Sequence, residues 1–205
     1  MPTYKLYYFN MMGGPEVIRW IFAQANVPFE DVRLSQEEWA TFKPKTPHGG
    51  LPVLDIDGKL LAGRGPIQRY LAEEYGLAGT SALENAEIAS NNDVIEDLVQ
   101  KIVLYIDEKD ETRKATLKKD LVEKHFTKYF GIMDKKITEN GSPEGWTYGS
   151  KVTYPDFFLT VVAGLVIKTG LSTLESYPAV LKLKASVESL PNIAKWIRER
   201  PKTEF

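Results

Sequence analysis

Leu51-Pro52-Val53-Leu54-Asp55-Ile56-Asp57-Gly58-Lys59-Leu60-Leu61-Ala62 carries the information that decides the fold. Two short apolar runs, 53–56 and 59–62, flank Asp57-Gly58, a pair suited to the positive φ of a tight hairpin turn. The open question is which sheet the hairpin joins. Toward the N-terminus, residues 5–9 form a short apolar and aromatic run of strand character. Gly13-Gly14-Pro15 then breaks the chain and opens a helix, with proline where its missing N–H costs least. Val17, Ile18, Ile21, Phe22 and Ala25 recur on one helical face. Residues 29–34 read as a second strand leading into a short helical stretch around Trp39, and beyond the hairpin Ile67, Tyr70, Leu71 and Glu74 follow helical spacing.

The resulting order is strand, helix, strand, helix, hairpin, helix. A right-handed βαβ unit followed by a ββα unit is the order of a thioredoxin-like α/β sheet. From about Ser81 onward the strand signals stop. Ile88, Ile95, Leu98, Val99, Ile102 and Ile106 mark a long helix, and the charged, apolar-striped segment 112–137 marks another. Residues 157–167 form the longest apolar stretch, too short to span a bilayer, and predict a buried helix. Just before it, Val152-Thr153-Tyr154-Pro155-Asp156-Phe157 has the pattern of a capping box with a hydrophobic staple. Gly76, Gly79, Thr80 and Ser81 interrupt the periodicity, so the expected division is a thioredoxin-like domain over 1–78 and an all-helical domain over 82–205.

Composition narrows the function. The 205 residues carry a formal charge of −2, which supplies no basic field for phosphates and argues against nucleic acid as a partner. A membrane surface is disfavoured for the same reason. The sequence has no cysteine, so any thiol chemistry must use a thiol brought in by a ligand. His48 and His125 lack the spacing of metal ligands or of a triad. Asp93, Glu96 and Asp97 share a helical face, and a solvated acidic surface is favoured over a site for a hard divalent cation, so no metal ligand is assigned. The N-terminus shows no basic-then-apolar leader, which makes a cytoplasmic protein the expectation.

The segments Tyr4-Lys5-Leu6-Tyr7-Tyr8-Phe9-Asn10, Leu51 to Gly58, Ile67-Gln68-Arg69-Tyr70-Leu71 and Thr153-Tyr154-Pro155-Asp156 resemble the sigma-class glutathione transferases in order and spacing. That class includes haematopoietic prostaglandin D synthases, invertebrate detoxifying enzymes and cephalopod lens S-crystallins. The resemblance extends to the closing Trp196-Ile197-Arg198-Glu199-Arg200-Pro201 and implies the cytosolic glutathione transferase fold. It also implies roles. Tyr8 stands at the catalytic tyrosine, whose hydroxyl favours the glutathione thiolate; Trp39 and Lys43 stand where the glycyl end is contacted. Leu51 precedes an expected cis-proline, Pro52, and its backbone pairs with the cysteinyl unit. Asp97 stands where the partner subunit supplies a carboxylate, which implies a homodimer facing itself through the helix at about 84–108. Phe9, Met11, Met12, Leu104 and Phe205 are the residues expected to line a pocket for a small apolar electrophile.

The departures from the class lie on the ligand site. Gly14 stands where the class usually has arginine, Gly50 where it has glutamine or lysine, and Gly63-Arg64 where it has glutamine and serine. Losing side-chain hydrogen bonds to a charged ligand costs about 1.5–3 kcal/mol each. Arg64 is the compensating candidate, because a guanidinium can hold a carboxylate bidentately. Three readings therefore stand at this stage. One is a glutathione-dependent transferase or isomerase with an atypical glutathione site; another is a non-catalytic relative, an S-crystallin-like structural protein or a carrier of apolar ligands; the third keeps the pocket but changes the thiol or acidic ligand that Arg64 grips.

Overall fold

The computed structural model describes residues 2–203. The chain divides into two compact units, one formed by 1–77 with 190–205 and the other by 78–189.

The first unit is built on a four-stranded sheet. β1 (Tyr4–Phe9) pairs in parallel with β2 (Glu30–Leu34) and antiparallel with β3 (Val53–Ile56), which pairs with β4 (Lys59–Ala62). The spatial order β2-β1-β3-β4 is the thioredoxin-like arrangement expected from the sequence. The β3–β4 turn falls on Asp57 (φ 50°) and Gly58 (φ 90°), and the Asp55 carboxylate accepts the Gly58 N–H at 2.6 Å. Side-chain alternation along β1 sends Tyr4, Leu6 and Tyr8 to one face and Tyr7 and Phe9 to the other. The first face is covered by α1 (Glu16–Ala25) and α3 (Arg64–Glu74): Tyr4 packs on Phe22 at 5.1 Å, and its hydroxyl accepts from Tyr75. The other face carries α2 (Gln36–Phe42), where Tyr7 stacks on Phe42 at 4.5 Å and Phe9 meets Trp39 edge-on at 6.1 Å. α2 opens on a capping box, Ser35 with Glu38, a signal legible as Ser-x-x-Glu.

The second unit contains α4 (Ala82–Asp107), α5 (Glu111–Asp120), α6 (Thr127–Asn140), α7 (Tyr154–Lys168) and α8 (Pro178–Ser189). α7 is the buried helix, and its capping box is closed as expected: the Asp156 carboxylate accepts the Thr153 N–H at 2.6 Å and the Thr147 N–H at 2.8 Å. The Asp134 carboxylate of α6 accepts the N–H groups of Ala179 and Val180, capping the start of α8.

Two expectations are corrected. The helix predicted over 112–137 is not uniform, because a π-helical segment, Leu121–Phe126, lies between α5 and α6. The wider turn changes which side chains face inward, so that Leu121 and Phe126 are buried ahead of Tyr129, Phe130 and Met133. The all-helical region drawn over 82–205 also loses its last element. α9 (Pro191–Glu199) packs on α1 and belongs to the first unit. The cause is a buried acceptor on α1: Glu16 Oε1 takes the indole N–H of Trp196 at 2.8 Å and an N–H of Arg200, along with the Trp20 indole.

Candidate active site

Tyr8 lies near the C-terminal end of β1, on the face shared with α1 and α3, and is partly buried. The loop after β1 folds over it. Gly13 has φ +50°, and its backbone comes so close that a Cβ there would lie 2.9 Å from Tyr8 Cε1 and 3.0 Å from the hydroxyl oxygen. Only glycine satisfies both the left-handed backbone and that approach. The loop is held from below by Arg19, which has no solvent exposure. Its Nη1 donates to the carbonyls of Met11 and Met12 and to Glu16, and its Nε donates to Asp31 at 3.0 Å.

Charge around the tyrosine follows from these contacts. Burial raises the Tyr8 hydroxyl above the ordinary phenol range, and the guanidinium groups of Arg64 and Arg19 pull it partly back. The hydroxyl is therefore protonated at neutral pH and available to donate, in an electropositive setting that favours an anion as acceptor. Burial alone would also push the Glu16 carboxyl up. The hydrogen bonds from Trp196 and Arg200 and the charges of Arg200 and Arg19 outweigh it and hold Glu16 below the usual carboxylate range.

The other expected residues of the first unit take these places. Phe9 lies between Tyr8 and Trp39, with ring centroids 5.7 and 6.1 Å away. Trp39 is half-buried and Lys43, just past α2, is exposed. The Leu51–Pro52 peptide bond is cis, and Gly63 N–H donates to the Pro52 carbonyl at 3.0 Å, tying that loop to the start of α3. Arg64 is the first residue of α3 and reaches across to the β1–α1 loop, where its guanidinium lies directly over Gly14. Met11 is exposed and Met12 half-buried on the same loop. Leu104 and Asp97 are exposed on α4 of the second unit. Phe205 lies outside the described residues. Among the described residues no group of three or more His, Cys, Asp and Glu is gathered as for a metal ion, and no helix is long and apolar enough to cross a membrane.

Sequence reasoning missed Arg19 and Glu16. Both fall on the side of α1 away from Val17, Ile18, Ile21 and Phe22, where helical spacing predicts solvent, so periodicity gives no signal that they are buried.

Comparison with known proteins agrees with this architecture. Residues 9–81 match the family model for the glutathione S-transferase N-terminal domain, and residues 96–200 match that for the C-terminal domain. A probable glutathione S-transferase 8 of Caenorhabditis elegans is 36% identical, with both chains covered in full. A hematopoietic prostaglandin D synthase of Gallus gallus is also 36% identical over 99% of each chain. Among solved structures, the monomeric Na-GST-3 of the hookworm Necator americanus superposes with a TM-score of 0.90 at 33% identity, covering 99% of this chain and all of that one. With both halves matched by the family models and near-complete relatives above 30% identity, the chain belongs to the glutathione S-transferase family.

Proposed function

We propose that the chain is a sigma-class, glutathione-dependent transferase or isomerase acting on small apolar electrophiles. The observation that carries this reading is Tyr8, a phenol kept protonated by burial beneath the Gly13 loop with two guanidinium groups in Coulombic reach. A free thiol with a pKa near ~8.5 is mostly protonated at neutral pH, and one hydrogen-bond donor aimed at the sulfur stabilises the thiolate. The thiolate attacks the electrophilic carbon; with an aryl halide, a C–S bond forms and the carbon–halogen bond breaks, releasing halide.

The remaining roles complete the proposal. Trp39 and Lys43 take the glycyl end of glutathione, and the Leu51 backbone beside Pro52 pairs with the cysteinyl unit. Arg64, at the positive end of the α3 dipole, meets the γ-glutamyl carboxylate, and Asp97 reaches the γ-glutamyl amine across a homodimer. Phe9, Met11 and Met12 of the first unit face the electrophile. A cytoplasmic location and a part in detoxification accord with this reading. The prostaglandin D synthase relatives favour the sigma class, although the hookworm relative described as monomeric shows that pairing is not universal among structural neighbours.

Glutathione titration by calorimetry tests binding, and conjugation of an aryl halide tests chemistry. Binding in the micromolar to low millimolar range is expected, with Tyr8→Phe lowering kcat roughly a hundredfold as for removal of one preorganised donor. One feature favours the second reading, a non-catalytic relative: Gly50 has open space around it and Gly63 has no side chain to offer a ligand. Absence of binding at millimolar glutathione would select that reading.

A further inference from the structure

Gly13 and Gly14 are consecutive, and each lacks a side chain where another group has moved in. A Cβ on Gly13 would touch the Tyr8 hydroxyl, as described above. On Gly14 it would overlap Arg64 Nη1 and lie 3.3 Å from both Cδ and Cζ of that side chain. Unlike Gly13, Gly14 has no positive φ, so its backbone conformation does not itself call for glycine. A side chain at Gly14 would instead displace the guanidinium, whose tip occupies that space. The two glycines thus form one thin wall of backbone, with the tyrosine hydroxyl against one residue and the arginine head against the next.

We propose that Arg64 is a positioning residue for Tyr8: seated in the space left open at Gly14, its guanidinium fixes a positive charge beside the β1–α1 loop and favours the anionic form of whatever the Tyr8 hydroxyl meets. This role is additional to any contact Arg64 makes with a ligand carboxylate, and it rests on the reading of Tyr8 as the sulfur donor only for its use in catalysis. Among the described residues, the charged groups that act on Tyr8 are Arg64 from α3 and Arg19 from α1, with Arg64 the stronger. Placement also fits. A cation at the first residue of α3, with no acidic residue in that turn, opposes the helix dipole, so helix stability gives no reason for arginine there.

The test needs no ligand. Alkaline titration of the tyrosinate band in the ligand-free protein, taken as the difference from the same protein carrying Tyr8→Phe, reports Tyr8 alone. Arg64→Gln should lower the Tyr8 phenolate fraction at a fixed alkaline pH about tenfold, the effect of removing one nearby opposite charge. Arg64→Lys should retain most of it, and Arg69→Gln, an exposed charge on the same helix, should leave it unchanged. Gly14→Ala, which pushes the guanidinium away, should reproduce Arg64→Gln, and the double variant should do no more than either. Thermal melts confirm that each variant compared is folded, and Gly14→Ala with Arg64→Lys serve if Arg64→Gln is not. A phenolate fraction in Arg64→Gln within twofold of the parent, or additive effects of Gly14→Ala and Arg64→Gln, overturns the proposal. Glutathione calorimetry on the parent is read separately: its failure removes the transferase reading while leaving the Tyr8–Arg64 coupling measured.

Discussion

Gly63 has φ +94°, a conformation that side-chain-bearing residues rarely adopt, and its N–H closes the bond to the Pro52 carbonyl. The glycine therefore serves the backbone as well as emptying a ligand contact. Gly63→Gln should cost about 1–3 kcal/mol in folding free energy, read from urea unfolding, even as it offers an amide to a ligand. Gly50 differs, because nothing lies within 4 Å of a Cβ there and Gly50→Gln should be neutral for stability. Gly14 and Arg64 are a third case, since each occupies what the other leaves vacant. These departures from the sigma-class pattern were readable from sequence as lost contacts, but their coupling was not. Residues 14 and 64 are far apart in the chain, and only the fold brings the α3 terminus onto the loop. Tyr8, Phe9 and Trp39 were singled out through the resemblance rather than through local pattern, because strand alternation sends Tyr8 and Phe9 to opposite faces and only the fold sets Phe9 within 5.7 and 6.1 Å of the other two rings.

Among elements, the β3–β4 hairpin and α7 came through from sequence because each is specified locally, by Asp57-Gly58 in one case and Thr153 to Asp156 in the other. The π-helical segment Leu121–Phe126 did not, because no glycine or proline marks the place where the extra residue shifts the phase of the apolar stripe. The start of α7 makes a pH prediction. Burial pushes the Asp156 carboxyl up to about 6, against the pull of hydrogen bonds from Thr147 and Thr153. Its folded value thus exceeds its unfolded one, so the native state holds the proton longer. The stabilisation from this group is complete below about pH 4 and is lost as pH rises through 6. The loss should amount to roughly 2–3 kcal/mol between those limits, from the difference between the two pKa values. Urea midpoints of the parent measured from pH 4 to 7 should show this fall relative to Asp156→Asn, which cannot titrate; a constant difference would refute it.

For the whole molecule, the chain leaves the first unit at residue 77, builds the helical unit over 78–189 and returns to finish the first with α9. The closing segment entered the sequence reading only through the resemblance, which could not show which unit claims it, since Trp196 and Arg200 look like ordinary surface residues until Glu16 is placed opposite them. Protein synthesis inherits that arrangement. At about 5–20 residues per second, the ribosome spends on the order of ten seconds between releasing α1 and releasing α9. Throughout that interval Glu16 has only its neighbours Arg19 and Trp20, and the face of α1 that Trp196 will cover stays open. The half of the protein that is made first is thus the half completed last. Nascent chains arrested before Pro191 should remain protease-sensitive within residues 1–77, whereas chains extended far enough for Arg200 to clear the exit tunnel should become resistant there. Equal resistance in both would show that the sheet closes without its final helix.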